Sequence, residues 1–376
     1  MLKSEYLWYN YIGGYMYEKA TQILKKFNDN GYLAYIVGGY PRDTLLGIKT
    51  KDIDICTNAK PVEIMNLFDT EKVADVKYGS VKVIYKNSVF DVTTFRKDIK
   101  YEDNRKPVKI RYINNLKSDL YRRDFTVNTI CIDKDGNYVD MLNAREDISH
   151  KIIRTVGNPR NKLKEDSLRI LRAIRFATLL NFTIDKDTEK YIVKYGYLLE
   201  KLSNSRKKEE LDKIFSSVNK EVSRDMLIRY GLDKYLGINN LSDIVLCDDI
   251  IGIWSQLNLS YEYPFTKTEK EHMKKIKLML DVDVDNYNVY KYGLYVSSVV
   301  GSIKGISYKK INDIYSNLVI HSLSDINIKA MDIANVLKRE PGNYLSDIFN
   351  DIEKKIVNNE IENEFECICE YIRENY

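Results

Sequence analysis

The chain has 376 residues, of which 44% are hydrophobic and 30% are charged, and its formal net charge at pH 7 is +4. This length allows two or more packed units, and the composition is typical of a soluble globular protein. No apolar run approaches the length of a membrane span and no signal peptide is evident, so we expect no membrane partner. The mildly basic charge permits a nucleic-acid partner without requiring one.

The cysteines and histidines are scattered along the chain. Of the five cysteines only Cys367 and Cys369 lie close together, and a C-x-C spacing on an apparent helix is not that of a zinc site. The three histidines are far apart in sequence. We therefore expect neither structural zinc nor a disulfide framework, and we expect a reducing, cytoplasmic location.

The first predicted elements are a helix, a strand and a glycine turn. Residues 15–30 have the apolar spacing of an amphipathic helix that ends at Gly31. The apolar run Tyr35–Val37 predicts a buried strand, and Gly38 and Gly39 end it where the backbone must bend or approach another group closely. A second helix is expected directly after the turn.

Charged residues follow this turn in a pattern that favours phosphate chemistry. Arg42 adds a positive charge to the backbone N–H groups of a glycine turn and a helix N-terminus, which together form an anion site. On the predicted strand Lys51–Ile55, Asp52 and Asp54 point the same way because side chains alternate. Two such carboxylates repel each other unless a cation lies between them, and their oxygens suit Mg²⁺. Each motif alone is common on surfaces, but their combination predicts metal-assisted phosphoryl or nucleotidyl transfer.

A hairpin is expected next along the chain. Residues 80–85 and 88–95 alternate with period two on either side of Lys86 and Asn87. Asp91 is on the second of these strands. If this strand lies beside the one that carries the acidic pair, Asp91 is a third acid of the metal site; otherwise it is an ordinary acid facing solvent.

Two charged segments follow the hairpin. Residues 96–116 are polar enough to predict a mobile loop that becomes a strand at Val108–Ile113, or simply a solvated linker. Arg122, Arg123 and Asp124 then precede an apolar strand. Arginine forms bidentate contacts with phosphate and a carboxylate can hold a ribose hydroxyl, although such a cluster alone is more often a surface ion pair.

From about residue 141 the apolar spacing is helical. In the segment 164–185 an apolar stripe predicts a buried helix face formed by Leu168, Leu171, Ile174 and Leu179. Asp166 and Arg169 are three residues apart, hence neighbours on a helix, and could together read the Watson–Crick edge of a base. The simpler interpretation is an ion pair of Arg169 with Asp166 or with Glu165.

Three motifs in this order resemble those of a known family. The stretches are G-G-Y-P-R-D-T-L-L-G with K-D-I-D-I-C-T, then R-R-D-F-T-V-N, then E-D-S-L-R with R-A-I-R-F. They are similar to the signatures of class II tRNA nucleotidyltransferases and bacterial poly(A) polymerases, which belong to the polymerase β superfamily. The chain departs from the family at Tyr40 and Pro41 in the turn, and at Thr129 and Cys131 in a packed strand.

The resemblance implies an α+β fold, with a mixed α/β nucleotidyltransferase head domain followed by an all-α neck, body and tail. Residues 1–16 are then an N-terminal extension, 17–140 the head, 141–215 the nucleotide-selecting neck, 216–278 the body and 279–376 the tRNA-binding tail. It also implies catalytic roles for Asp52 and Asp54, which bind two Mg²⁺ ions, with Asp91 assisting.

The same resemblance implies a nucleotide-binding set and a flexible loop. The implied nucleotide-binding residues are Gly38, Gly39, Arg42, Arg123, Asp124, Asn128, Asp166, Arg169, Arg172 and Arg175. The implied loop residues are Tyr101, Asp103, Arg105 and Pro107, with Lys106 in place of an arginine of the family pattern. In the family this loop is associated with adding the terminal A after two Cs.

The implied activity is template-independent addition of CCA to the 3′ end of tRNA from CTP and ATP, with release of pyrophosphate. The implied partner is tRNA, contacted at its acceptor stem and elbow, and no protein partner is indicated. The alternatives are a relative that adds only CC or only A, a poly(A) polymerase, and, from another class, a non-catalytic RNA-binding module. The intact loop argues against CC-only addition, and the acidic C-terminal segment argues against a poly(A) polymerase.

Overall fold

The computed structural model describes residues 2–71, 78–101 and 107–376, with side chains from residue 14 onward apart from 100–101 and 107–109. The chain divides into two compact units. The first is Met1–Ile238 with Ser260–Glu262, and the second is Asn239–Leu259 with Tyr263–Tyr376. The finer division into head, neck, body and tail stays a prediction.

The first unit contains both helices and strands. Its helices are α1 (Leu2–Asp29), α2 (Gly39–Leu45), α3 (Pro61–Leu67), α4 (Leu116–Tyr121), α5 (Ala144–Ser149), α6 (Pro159–Glu165), α7 (Leu168–Leu180), α8 (Lys186–Tyr195), α9 (Asn204–Phe215), α10 (Lys220–Arg229) and α11 (Asp233–Leu236). Its strands are β1 (Ala34–Val37), β2 (Asp54–Thr57), β3 (Asp69–Thr70), β4 (Ser80–Tyr85), β5 (Ser88–Thr94), β6 (Arg96–Tyr101), β7 (Pro107–Tyr112), β8 (Cys131–Ile132), β9 (Tyr138–Val139), β10 (Ile152–Ile153) and β11 (Thr183–Ile184).

Within the described residues, seven of these strands form one mixed sheet in the order β3-β4-β5-β2-β1-β8-β9. Strands β2 and β5 pair in parallel, and the other neighbours are antiparallel. The predicted hairpin is confirmed: Lys86 and Asn87 have φ of 48° and 60°. Positive φ at both central residues gives the tight turn whose twist matches that of the two strands.

Alternation of side chains assigns the two faces of this sheet. On one face Ile53 and Ile55 are buried against α1 and α3, as the sequence predicts. On the other face Cys56 packs in a smaller apolar cluster with Leu116 and Leu120 of α4. Asp54 has the parity of Cys56, so it lies on the face that α4 covers in part. The site described below opens on this face.

The second unit is helical throughout its described residues. Its helices are α12 (Ile250–Gln256), α13 (Lys267–Leu280), α14 (Asn286–Ile303), α15 (Tyr308–Ser316), α16 (Ala330–Leu337), α17 (Tyr344–Val357) and α18 (Phe365–Asn375). Buried aliphatic side chains from α13 to α18 form its core. The predicted fold class, a mixed α/β part followed by helices, is confirmed. Along the described chain, no helix is long and apolar enough to cross a membrane.

Several predicted boundaries differ from the structure. Helix α1 begins at Leu2 rather than near residue 15, and β2 begins at Asp54 rather than at Lys51. The strand predicted at Val108–Ile113 is observed as β7, whereas the residues before it, predicted as a loop, include the strand β6, which pairs with β7 in a separate two-stranded sheet. Of the predicted loop residues, Tyr101 is the last residue of β6 and Pro107 the first residue of β7, while Asp103 and Arg105 lie outside the described residues.

The predicted helix 164–185 is also interrupted. Asp166 separates α6 from α7 with the extended torsions φ −145° and ψ 105°. Helix α7 ends at Leu180, where Asn181 is left-handed with φ 53°. Leu179, predicted in the apolar stripe, is 48% exposed, whereas Leu168, Leu171 and Ile174 are buried. The predicted pairing of Asp166 with Arg169 requires both residues to lie three positions apart on one helix. Because of the break, Asp166 is not on the helix that carries Arg169.

Candidate active site

A cavity of about 510 Å³ opens on the α4 side of the sheet and is lined by acidic and basic residues. The acids are Asp54, Asp91, Asp98 and Asp166. The bases are Arg96, Arg122, Arg123 and Arg169. A cavity with both signs of charge can bind a polyanion to its arginines and a cation to its carboxylates.

Asp54 and Asp91 are brought together by the parallel pairing of β2 and β5. They are partners in the register of the two strands, and both line the cavity. Asp54 as a residue is exposed, but partial removal of its carboxyl from water inside the cavity raises the pKa of that carboxyl; Arg123 opposes the increase, and Asp91 and Asp52 add to it. Asp52 lies two residues before β2 begins, and it is Asp91 that stands directly opposite Asp54.

This carboxylate pair is chemically suited to a magnesium ion. No group of three or more histidine, cysteine, aspartate or glutamate side chains is arranged to hold a metal among the described residues. Magnesium, however, is typically bound by one or two protein carboxylates and completed by water and substrate phosphates. Asp54 and Asp91 supply such a pair, and the Asp91 carboxylate raises the cost of ionising Asp54 unless a cation is bound between them.

Gly38 ends β1 against the acidic pair. Its torsions, φ 87° and ψ −128°, are ones that side-chain-bearing residues rarely adopt. A Cβ at this position would lie 3.2 Å from Oδ2 of Asp54. The predicted close approach of the backbone at the glycine turn is therefore made to the candidate metal-binding carboxylate.

Asp119 holds two of the cavity arginines, and the sequence analysis missed it. Nε of Arg122 donates to its Oδ1 at 2.8 Å, and Nη2 of Arg123 to its Oδ2 at 3.4 Å. Burial would raise the pKa of this fully buried carboxyl, but Arg122 and Arg123 lower it overall. The spacing of three and four residues between Asp119 on α4 and the two arginines that follow this helix was the available signal in the sequence.

Arg42 is placed in a buried hydrogen-bond network, not among the residues that line the cavity. Its Nε donates to Asp43 at 2.8 Å and its Nη1 to the side-chain carbonyl of Asn128. Asn128 in turn donates to Asp124 at 3.1 Å, and Arg172 donates to the other oxygen of Asp124 at 2.8 Å. Four of the predicted nucleotide-binding residues are thus joined by hydrogen bonds and stabilise the structure behind the glycine turn. They are Arg42, Asn128, Asp124 and Arg172.

Asp166 and Arg169 both line the cavity, but each is held by another partner. Arg169 donates to Glu165 at 2.9 Å and to the carbonyl oxygen of Arg122 at 3.0 Å. Asp166 accepts a hydrogen bond from Arg206 at 3.0 Å. The Glu165 partner considered from the sequence is therefore the one observed for Arg169, and the two predicted base-reading groups reach the cavity independently.

Arg172 and Arg175 are fixed by a residue of α9 that the sequence analysis did not identify. Glu210, which is 2% exposed, accepts from Nε of Arg175 at 2.8 Å. Its other oxygen lies 3.8 Å from Nη1 of Arg172. Both arginines also lie over the ring of Phe176, at 4.4 Å for Arg175 and 5.2 Å for Arg172. These two arginines support α7 rather than line the cavity.

Three protein families match consecutive parts of the chain. The family described as "Poly A polymerase head domain" matches residues 34–154. "Probable RNA and SrmB- binding site of polymerase A" matches residues 181–237, and "tRNA nucleotidyltransferase domain 2 putative" matches residues 260–372. The first match contains the sheet and both acids of the candidate metal pair.

Curated proteins and solved structures match nearly the whole chain. The CCA-adding enzyme of Bacillus cereus is 30% identical over 391 residues, which cover 96% of this chain and 98% of that protein. That of Streptococcus agalactiae is 30% identical over 389 residues, covering 95% and 97%. The Bacillus stearothermophilus CCA-adding enzyme in complex with CTP superposes with a TM-score of 0.85, 27% identity and coverage of 96% and 97%. The Thermotoga maritima CCA-adding enzyme complexed with tRNA has a TM-score of 0.67 at 19% identity, covers 96% of this chain and 98% of that one, and supports the fold alone.

Proposed function

The chain belongs to the family of CCA-adding enzymes, and from that premise we propose that it adds C, C and A to the 3′ end of tRNA, using CTP and ATP. In this reaction the tRNA 3′-hydroxyl attacks the α-phosphate of the nucleotide and pyrophosphate leaves. The observation that carries the proposal is the acidic pair, Asp54 opposite Asp91, in a cavity whose other charges are arginines and two further aspartates. A non-catalytic RNA-binding module would have no use for this pair.

Asp52 and Asp54 stay the predicted Mg²⁺ ligands, and we propose that Asp91, which stands opposite Asp54 in the strand register, holds the ion with them. Bound there, Mg²⁺ would activate the hydroxyl and stabilise charge on the phosphates. Arg122 and Arg123 line the same cavity and offer donors to the triphosphate, while Asp119 keeps both guanidinium groups oriented.

The glycine turn lies beside Asp54, although neither glycine lines the cavity. Gly38 and Gly39 carry no side chain, and we propose that their N–H groups donate to a phosphate held beside Asp54. Arg42 then acts indirectly, because its guanidinium is occupied by Asp43 and Asn128. We assign to this network the task of fixing the turn.

Base selection is assigned to Asp166 and Arg169. Cytosine and adenine both present an amino group beside an unprotonated ring nitrogen, whereas uracil and guanine present a carbonyl beside an N–H group. A carboxylate accepts from the amino group and a guanidinium donates to the ring nitrogen, so one acidic and one basic side chain can accept both correct bases. Both side chains reach the cavity that holds the acidic pair.

Two further assignments accompany this activity. The tail, residues 279–376, is proposed to contact the acceptor stem and elbow of tRNA, and the RNA-binding family matched at residues 181–237 supports an RNA partner for the chain. We also propose a cytoplasmic location, because all five cysteines belong to the described residues and are free thiols.

The function is tested by primer extension with Mg²⁺ and tRNA transcripts that end before CCA, after C and after CC. Each transcript is supplied with CTP, ATP or both. We expect all three to be extended to CCA and no further. Addition of C alone, of A alone or of long A tails would keep the chemistry and reassign the enzyme within the family, and no incorporation at all would contradict the proposal.

Replacing Gly38 with alanine is expected to reduce incorporation at least about tenfold, because the new Cβ strains the turn and displaces the Asp54 carboxylate. Gly31→Ala is the matched control: Gly31 also has positive φ, 82°, but its Cβ would meet nothing within 4 Å. Both variants should lose about 1–3 kcal/mol of unfolding free energy through backbone strain. Equal activity of the two variants would show that the contact with Asp54 is unimportant; urea unfolding and primer extension measure the two effects.

A further inference from the structure

Helix α9 reaches the candidate base-reading residue from outside the segment that carries it. Arg206, near the start of α9, donates from Nη2 to Oδ2 of Asp166 at 3.0 Å. The other oxygen of this carboxylate, Oδ1, accepts from the backbone N–H of Leu168 at 3.1 Å. Each oxygen of Asp166 therefore has a fixed donor, and its orientation is set by α7 and α9 together.

The position of Asp166 in the chain makes this support necessary. Asp166 lies in the break between α6 and α7 with non-helical torsions, so its own backbone is not part of a helix, and its side chain depends on the donors from α7 and α9. Arg206 and Asp166 are 20% and 19% exposed, and Nη1 of Arg206 is buried with no hydrogen-bond partner in the described part of the chain. Burying an N–H group without an acceptor costs free energy, so contacts other than those of Nη1 must hold the guanidinium group in this position.

One turn further along α9, Glu210 binds Arg175 and lies near Arg172, both on α7. The same helix face thus supports the base-reading break and the helix that follows it. This arrangement distinguishes Arg206 from exposed i,i+4 pairs such as Lys213 with Glu209 and Lys275 with Glu271, which connect neighbouring residues on one helix.

We propose that Arg206 is a positioning residue that sets nucleotide selectivity by holding the Asp166 carboxylate in place for the amino group of cytosine or adenine. The proposal rests on the proposed function, since it requires Asp166 to read the base. Without Arg206 the carboxylate keeps its charge but loses a charge-assisted hydrogen bond, so it can rotate away from the base. Small displacements of this kind weaken discrimination strongly, because a hydrogen-bonding site rejects a wrong partner only when its geometry is fixed.

The test compares Arg206→Ala, Arg206→Lys and the control Arg224→Ala in single-nucleotide addition to a tRNA transcript that ends before CCA. Arg224 pairs with its neighbour Asp225 on the surface of α10. We expect Arg206→Ala to lower the ratio of kcat/KM for CTP to that for UTP about tenfold or more, mainly by raising KM for CTP. Arg206→Lys should recover part of the ratio, and Arg224→Ala should leave it unchanged.

The ratio does not depend on the fraction of active enzyme, so partial misfolding of a variant cannot produce the expected result. If Arg206→Ala lowers kcat equally for CTP and UTP and leaves the ratio unchanged, its role is structural and the proposal is wrong. If the wild-type chain incorporates nothing, the proposed function fails instead.

A double-mutant cycle with Asp166→Ala tests whether Arg206 acts through Asp166. If it does, Arg206→Ala should have little further effect on the CTP-to-UTP ratio once Asp166 is alanine. Independent, multiplying effects of the two substitutions would overturn the proposal, because Arg206 would then contribute to selectivity by another route.

Discussion

Replacing Asp54 with alanine is expected to lower nucleotide incorporation by about three orders of magnitude or more, since metal-assisted stabilisation of a phosphoryl transition state supplies several kcal/mol. Binding of tRNA should stay within about threefold of wild type, because Asp54 offers no donor to a phosphate backbone. Single-turnover incorporation of CTP and a filter-binding titration with labelled tRNA measure the two quantities separately.

The stability of the Asp54 variant distinguishes loss of chemistry from loss of the fold. Burial, Asp91 and Asp52 raise the pKa of Asp54, which means that its ionised form is disfavoured in the folded protein. Removing this carboxylate should therefore not lower the urea midpoint. Asp69→Ala, an exposed aspartate at the start of β3, is the control and should retain full activity. An active Asp54→Ala enzyme would remove this residue from the metal site.

Replacing Asp124 with alanine is expected to cost about 3 kcal/mol of unfolding free energy. Asp124 and Arg172 are only 10% and 31% exposed, so the substitution leaves a largely buried arginine without its carboxylate. It also removes the acceptor for Asn128, which holds Arg42. We therefore expect weaker CTP binding as well, although none of these residues lines the cavity. Urea unfolding and the KM for CTP check the two effects.

The cost of Asp124→Ala should depend on pH in a defined direction. Burial alone would raise the pKa of Asp124, but Arg172 and Asn128 lower it well below its usual range. The stability that Asp124 contributes is therefore fully present above the ordinary carboxyl pKa of about 4 and is lost as the pH falls below it. The difference in urea midpoint between wild type and variant should narrow on acidification. A difference that grows below about pH 4 would contradict the assigned pKa direction.

A surface pair provides the reference for this comparison. Asp135 is 57% exposed and pairs with Lys134, which is 37% exposed. Asp135→Ala should change the unfolding free energy by less than about 1 kcal/mol, because exposed ion pairs are screened by solvent. An equal cost at Asp124 and Asp135 would show that the buried network does not stabilise the fold.

Local patterns in the sequence predict several parts of the site correctly. The turn at Lys86 and Asn87 and the alternation around Ile53 and Ile55 depend on neighbouring residues only, so short-range rules capture them. The glycine at position 38 is likewise needed for a local backbone conformation. Such short-range rules are enough to place both Asp54 and Asp91 on strands.

Other parts depend on contacts between distant residues. Asp91 lies opposite Asp54 because β2 pairs in parallel with β5. No local sequence pattern predicts which two strands pair. The predicted helix through Asp166 is interrupted, and the Asp166 carboxylate accepts a hydrogen bond from Arg206, which is 40 residues away in the chain. Arg42 resembles a phosphate ligand in sequence, but Asn128 occupies its guanidinium across 86 residues. Spacing along the chain carries no information on such partners.

The distribution of these residues along the chain also sets the order in which the enzyme is completed on the ribosome. A chain emerges from its N-terminus, and domains generally fold as units during synthesis. Both acids of the candidate metal pair and the arginines held by Asp119 are present once β8 has been made. Asp166 comes later, and its support from Arg206 of α9 is present only when more than half of the 376 residues have been synthesised. The groups proposed for phosphate chemistry are thus made before those proposed to select the nucleotide.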